Sequence, residues 1–167
     1  VRNCHFYGNQ NGLRGGHPQG EVLVEHSEFT GNGSGDGRSH DIRIDEGKKL
    51  TLRYSTLHDS RAGPSVWSAA RENVIKNNMI YAADGGDGQA LVLARGGVAH
   101  IQGNLLRQGA QAQPAAFIRF GAEGPPYGRN ELVIRDNLLV SDAGRDAALY
   151  QADGVKAVAD NNIVRGR

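Results

Sequence analysis

The chain has 167 residues, a formal net charge of +1, 22% charged and 6% aromatic residues, and 24 glycines. Scarce aromatics and abundant glycine disfavour a helical globular core and suit short strands joined by tight turns. The interspersed charge excludes the basic stripe of a nucleic-acid binder and a polybasic membrane segment, and no run of 18 or more apolar residues suggests a transmembrane helix.

In chain order the predicted elements are one unit repeated. An aliphatic residue is followed three positions later by a small polar one and five positions later by a large apolar one. The aliphatic column reads Val1, Val24, Leu52, Ile75, Ile101, Ile134, Val158. The small column reads Cys4, Ser27, Ser55, Asn78, Asn104, Asn137, Asn161, and the apolar column reads Phe6, Phe29, Leu57, Ile80, Leu106, Leu139, Ile163. Steps of 23 to 33 residues along the last column are the period of a solenoid, whose coils bury their apolar faces against one another.

Each unit opens on a strand. Val22 and Val24, Leu50 and Leu52, and Leu132 and Ile134 alternate with polar neighbours, the period-2 pattern of strands. A polar corner follows, as in His26-Ser27, Tyr54-Ser55, Asn77-Asn78, Gly103-Asn104, Asp136-Asn137 and Asp160-Asn161. Asn tolerates the left-handed conformation of a sharp bend, and successive Asn in one column predict a ladder of hydrogen bonds from coil to coil. A second brief strand carries the apolar column. A third apolar segment (DIRID, SVWSA, ALVLA, FIRFGA, ALYQA) completes the coil.

These features predict an all-β parallel β-helix over residues 1–167, a single domain of six to seven coils with three short strands per coil. No helix N-cap precedes a 3.6-residue period, and the Leu-x-x-Leu-x-Leu spacing of a leucine-rich repeat is missing. At about 4.8 Å per coil the stack is roughly 30 Å long. Val1 already occupies the aliphatic column, so the first coil reads as cut into and the chain as a fragment or a processed chain. Open solenoid ends expose strand edges, which predicts self-association through the coil ends unless further sequence caps them. The single cysteine excludes an intrachain disulfide, and Cys4, in the inward column, reads as packing.

The longest insertions, around GNGSGDGRSH, GAQAQPAA and GAEGPPYGRNE, flank the third strand. In solenoids such insertions collect on one face, often the binding face. Alternation on that strand points Ile42, Ile44, Val66, Ser68, Leu91, Leu93, Ile118 and Phe120 inward. The outward column is then Arg43, Trp67, Val92, Arg119, Tyr150. An indole stacks on a sugar ring and guanidinium groups fork onto carboxylates or sulfates, the chemistry of an acidic polysaccharide. The competing reading has Trp67 covered by a loop and the arginines solvated.

Neighbouring loops add His40, Asp41, Asp45, His58, Arg61, Arg71, Arg95, Glu123 and Tyr127. His40 directly precedes its third strand, where an imidazole suits a general base or a partner for a substrate carboxylate; a lone loop histidine is more often a plain hydrogen-bonding residue. Segments with Asp36 and with Asp84 and Asp87 are oxygen-rich, as Ca2+ requires. Neither matches a calcium motif, and metal-free Gly-Asp turns are the commoner explanation, so no metal ligand is assigned. No Cys/His cluster suggests zinc, and no G-x-S-x-G elbow suggests a serine hydrolase.

The segments HSEFTGNGSGDGRSHDIRI, LRYSTLHDSRAGPSVWSAARENVIKNN and FIRFGAEG resemble bacterial right-handed β-helix proteins described as pectate-lyase-like or polysaccharide-degrading. The resemblance implies a right-handed β-helix, an acidic polysaccharide partner and an extracellular or periplasmic location. It also implies a uronic-acid lyase acting by β-elimination, with Ca2+ neutralising the uronate carboxylate. That chemistry needs the carboxylate neutralised before a base removes the adjacent proton.

Members of that group carry Gly-His-x-x-Lys-Ser-Arg-Ala before an Asn-Val-Ile strand, similar to the Lys-Ser stretch of β-helix lyases, where Lys is the base and Arg the acid. This chain departs from it. In GPSVWSAA, Pro64 stands for His, Trp67 for Lys and Ala69 for Arg, whereas Ser68 and Ala70 remain. Arg43 replaces an expected Tyr, and His40 is retained. An indole cannot act as a base, so lyase chemistry is absent or rebuilt, with His40 as base and Arg71 as the basic residue of a shifted register. Arg43, Trp67, Arg119, Tyr150 and Glu123 are the candidate substrate-binding residues. A non-catalytic carbohydrate-binding β-helix and a ligand-free scaffold stand as the alternatives.

Overall fold

The computed structural model describes residues 1–166 except 87, 114–115, 122, 124–125, 144–147, 153–154 and 156. Its strands are, in chain order, β1 (His5–Tyr7), β2 (Leu13–Glu25), β3 (Glu28–Thr30), β4 (Ile42–Arg53), β5 (Thr56–His58), β6 (Val66–Lys76), β7 (Met79–Tyr81) and β8 (Leu91–Leu93), followed by β9 (Val98–Gln102), β10 (Leu105–Gln108), β11 (Ile118–Phe120), β12 (Glu131–Arg135), β13 (Leu138–Ser141), β14 (Tyr150–Ala152), β15 (Ala157–Asp160) and β16 (Ile163–Gly166). The paired strands are parallel and wind into an all-β solenoid of about six turns. Among the described residues no helix is long and apolar enough to cross a membrane.

One sheet has the order β1-β3-β5-β7-β10-β13-β16 and carries the second strand of every coil. The other sheet carries the third strand of each coil and the first strand of the next. In β2, β4 and β6 these two are continuous, with a register shift between Ile44 and Gly47. β6 pairs β8 along its first part and β9 along its second. From Leu91 on the two strands are separate, parted by a turn at 94–97.

The repeat is what stacks. Val24, Leu52, Ile75, Ile101 and Ile134 are successive partners, as are Phe6, Phe29, Leu57, Ile80, Leu106 and Leu139. Val24, Phe29, Leu52, Leu57, Ile75, Ile80, Leu106, Ile134 and Leu139 are fully buried. Burying each such side chain contributes about 1.5–3 kcal/mol, and one column supplies it at every coil.

The polar corner divides two tasks between consecutive residues. Asn3, His26, Tyr54, Asn77, Gly103, Asp136 and Asn161 hold the left-handed conformation, with φ between 49° and 69°. The next residue in each coil belongs to the ladder. The Asn78 backbone N–H and Nδ2 both donate to Asn104 Oδ1 at 3.0 Å, and Asn104 repeats this on Asn137. Each ladder amide also donates to a backbone carbonyl, as Asn104 does to Ile75 at 2.9 Å. Ser27 and Ser55 continue the column with hydroxyl acceptors.

The last coil corrects the expected register by one residue. Ile134 pairs Ala159 and Leu139 pairs Val164, and Asn137 donates to Asn162 Oδ1 rather than to Asn161. Asn161 takes the left-handed bend instead, φ 53°. A double Asn fits either register by sequence, and a slip of one residue exchanges the two faces; Val158 and Ile163 accordingly face outward. Cys4 is also corrected: its N–H donates to Ser27 Oγ at 3.2 Å, which keeps it in the column, but its thiol is exposed rather than packed.

Candidate functional site

Outward positions of the third strand form a column across the larger sheet. Arg14, Arg43, Trp67, Val92, Arg119 and Gln151 are successive partners. Tyr150 does not belong to it. It pairs Ile118 in the inward column and packs against the core, and Gln151 takes the outward place. The segment ALYQA has apolar residues at both phases, so alternation alone did not fix its face. Arg14 carries no strand signal in the sequence because the glycines and proline after it break the period; its pairing with Arg43 places it on the column.

Trp67 is the centre of the column. The Arg43 guanidinium carbon lies 4.5 Å from its ring centroid, a cation–π contact that also orders the arginine. Arg43 Nε donates to Asp45 Oδ1 at 2.7 Å, and Arg14 Nε donates to Asp45 Oδ2 at 2.8 Å. The His40 ring lies nearly parallel to the indole, 6.4 Å between centroids. At the indole edge, Nε1–H donates to Glu123 Oε2 at 3.0 Å. The ring is thus half-buried and held, neither a bare platform nor wholly covered.

Two strands further on, Arg119 is half-buried and its Nε is buried with no hydrogen-bond partner among the described residues. Among the described residues it makes no ion pair. Val92, between Trp67 and Arg119, is 1% exposed, so it adds no surface of its own to the column.

His40 is buried, and its Nδ1 lies 2.9 Å from the Pro64 carbonyl oxygen. A carbonyl only accepts, so Nδ1 carries the hydrogen and Nε2 the lone pair. Burial holds the imidazole below the ordinary histidine pKa. Asp41, the next residue, has no exposed surface; it accepts from Asn32 Nδ2 at 3.0 Å and from the Ser60 hydroxyl, and burial lifts its pKa to about 6. Arg71 lies four positions beyond Trp67 on β6, about 13 Å along a strand. It is exposed, with its guanidinium carbon 5.8 Å from the Tyr127 ring.

The loop after β11 closes over this sheet. Its backbone is tied at Gly121 to Leu93, at Glu123 to Ala94 and at Tyr127 to Arg95. Tyr127 donates its hydroxyl to the Ala69 carbonyl at 2.5 Å, and its ring lies between Arg71 and Arg95. Asn130 Oδ1 accepts from Gly97 N–H at 2.9 Å. Gly97 has φ 89° and faces the Arg71 carbonyl so closely that a Cβ would collide with it, so only glycine lets the turn at 94–97 pack against β6.

The oxygen-rich segments behave as turns. Asp36 Oδ1 accepts from the N–H groups of Arg38 and Ser39, and Asp84 Oδ1 from Gln111 N–H. Asp87 lies outside the described residues. Among the described residues no group of three or more His, Cys, Asp or Glu side chains could hold a metal ion.

Comparison of the chain with protein-family models, with curated proteins and with solved structures finds no match. The class that the chain's own pairing establishes is the parallel β-solenoid.

Proposed function

We propose that the protein is a non-catalytic carbohydrate-binding β-helix that takes an acidic polysaccharide along the column Arg14, Arg43, Trp67, Arg119. The observation that carries this reading is Arg119, a guanidinium whose buried Nε on the outward column has no partner among the described residues. An unmet buried donor costs about 1–3 kcal/mol, and a carboxylate or sulfate placed on the column would meet it. Trp67, two strands away, offers the apolar face that a sugar ring stacks on.

Binding is favoured over turnover because Trp67 and Ala69 occupy the positions that carry base and acid in the lyases the sequence resembles. Uronic-acid β-elimination is kept as the second reading for one reason: the Nδ1–H tautomer and lowered pKa of His40 leave Nε2 free to accept a proton near neutral pH.

The test is a panel of pectate, alginate and glycosaminoglycans, followed by calorimetry and by the ultraviolet absorbance of unsaturated uronates. Retention of one polymer with flat absorbance is expected, and Trp67→Ala or Arg119→Ala should each weaken it by about 1–3 kcal/mol. Rising absorbance that His40→Ala abolishes would establish the lyase instead. No retention of any polymer would leave the scaffold.

A further inference from the structure

A second recess opens on the same sheet beyond the Trp67 column. It measures about 620 Å³ and is lined by Lys48, Arg71, Glu72, His100, Tyr127 and Arg129, among others. Its charge is unbalanced. Three permanent cations face one carboxylate, and that carboxylate is already engaged by Lys49 at 2.9 Å. Lys48 and Arg129 pair with Glu21 and Glu131, neither of which lines the recess. Those pairs are well exposed, so exchanging either acid for another anion is nearly neutral in energy. Arg71 makes no ion pair among the described residues and instead sits over the Tyr127 ring.

The recess is built, not merely charged. The Tyr127 hydroxyl bond to Ala69, the Asn130 clamp on Gly97 and the Arg95 guanidinium 4.6 Å from the Tyr127 ring hold its roof in place. Lys48 comes from β4, Arg71 from β6 and Arg129 from the loop, so the donors come from three separate segments. Donors arranged this way suit an anion with several acceptor oxygens in a tetrahedron better than a planar carboxylate, which a single guanidinium forks onto.

We propose that this recess is a binding site for a tetrahedral oxyanion, a sulfate or phosphate group either free or esterified on a larger ligand, with Arg71 as its principal cation. The site is separate from the Trp67 column and stands or falls independently of it.

The test is a titration of the whole chain with inorganic sulfate, followed by the backbone amide signals of His100, Gly128 and Arg129 in NMR. Saturable shifts at these residues are expected. Arg71→Ala should weaken the fitted affinity at least fivefold, with signal dispersion elsewhere unchanged, and Arg119→Ala should leave it intact. Arg129→Gln provides a second variant should Arg71→Ala not fold. Dextran sulfate, followed at the same three amide signals and compared per sulfate group with inorganic sulfate, then separates the sources: much tighter binding of the polymer identifies an ester, and equal affinity identifies the free anion. Absence of saturable shifts in the unmodified protein, or shifts that survive both Arg71→Ala and Arg129→Gln, would overturn the proposal.

Discussion

Trp67 Nε1 donates to Glu123 Oε2 at 3.0 Å, and that contact joins residues 56 apart in the chain. It ties the loop after β11 to the outward face of β6. The loop therefore decides how much of the indole a ligand can reach, and it does so through an exposed carboxylate.

Glu123→Ala should free that edge. The expected result is a red shift of the protein's fluorescence, since Trp67 is its one tryptophan, together with a change in unfolding free energy below about 1 kcal/mol. An unchanged emission maximum would mean that the loop does not depend on this bond.

Asn104→Ala should be far more damaging. Asn104 is 2% exposed. Its Oδ1 accepts from the backbone and side chain of Asn78, and its Nδ2 donates to Ile75 O and Asn137 Oδ1. The substitution strands several buried groups, each costing about 1–3 kcal/mol, so a loss of roughly 3 kcal/mol or more is expected in chemical denaturation. Asn161→Ala, at an exposed left-handed bend, should cost about 1–2 kcal/mol. Equal losses would contradict the register of the ladder.

The ladder also shows where the sequence was readable. Columns of Val24, Ser27 and Phe29 type recur because stacked coils demand the same residue at the same place, and that repetition survives loops of different length. Tyr150 and Asn161 sit one register away from their expected places because a run of apolar residues, or of two asparagines, reads equally well in two registers; only the pairing of Tyr150 with Ile118 and of Asn162 with Asn137 decides between them. Arg14 and the roof formed by Tyr127 were harder still. The first lies beside glycines that interrupt the strand period, and the second depends on contacts across more than fifty residues, such as Tyr127 with Ala69.

Asp41 predicts how stability follows pH. Its carboxyl has a pKa near 6 in the fold against an ordinary 3.8. Between these values the unfolded chain has released the proton and the folded chain keeps it. The contribution is therefore fully present below about pH 4 and is lost as pH rises through 6, a total of roughly 2–3 kcal/mol. Asp41→Asn removes the charge and keeps an acceptor for Asn32, and the Ser60 hydroxyl turns from donating to accepting. Its unfolding midpoint should match the unmodified protein near pH 4 and exceed it at pH 8; a constant difference across that range would show that Asp41 is not the titrating group.

His40 and His58 should titrate in opposite directions. Burial lowers the first, and the hydrogen bond from His58 to Glu28 (2.9 Å), aided by Asp59, raises the second. His40 stabilises the fold above its ordinary pKa of 6.5 and loses that contribution as pH falls through its lowered value. His58 does the reverse: its contribution is present below 6.5 and fades as pH rises through its raised value. Nitrogen-correlated NMR of the two imidazoles should give midpoints on either side of 6.5, with His40 in the Nδ1–H form. Glu28→Gln should draw the His58 midpoint downward and leave His40 in place. If both midpoints moved together, the two rings would share one electrostatic environment, which their separate partners, Pro64 and Glu28, argue against.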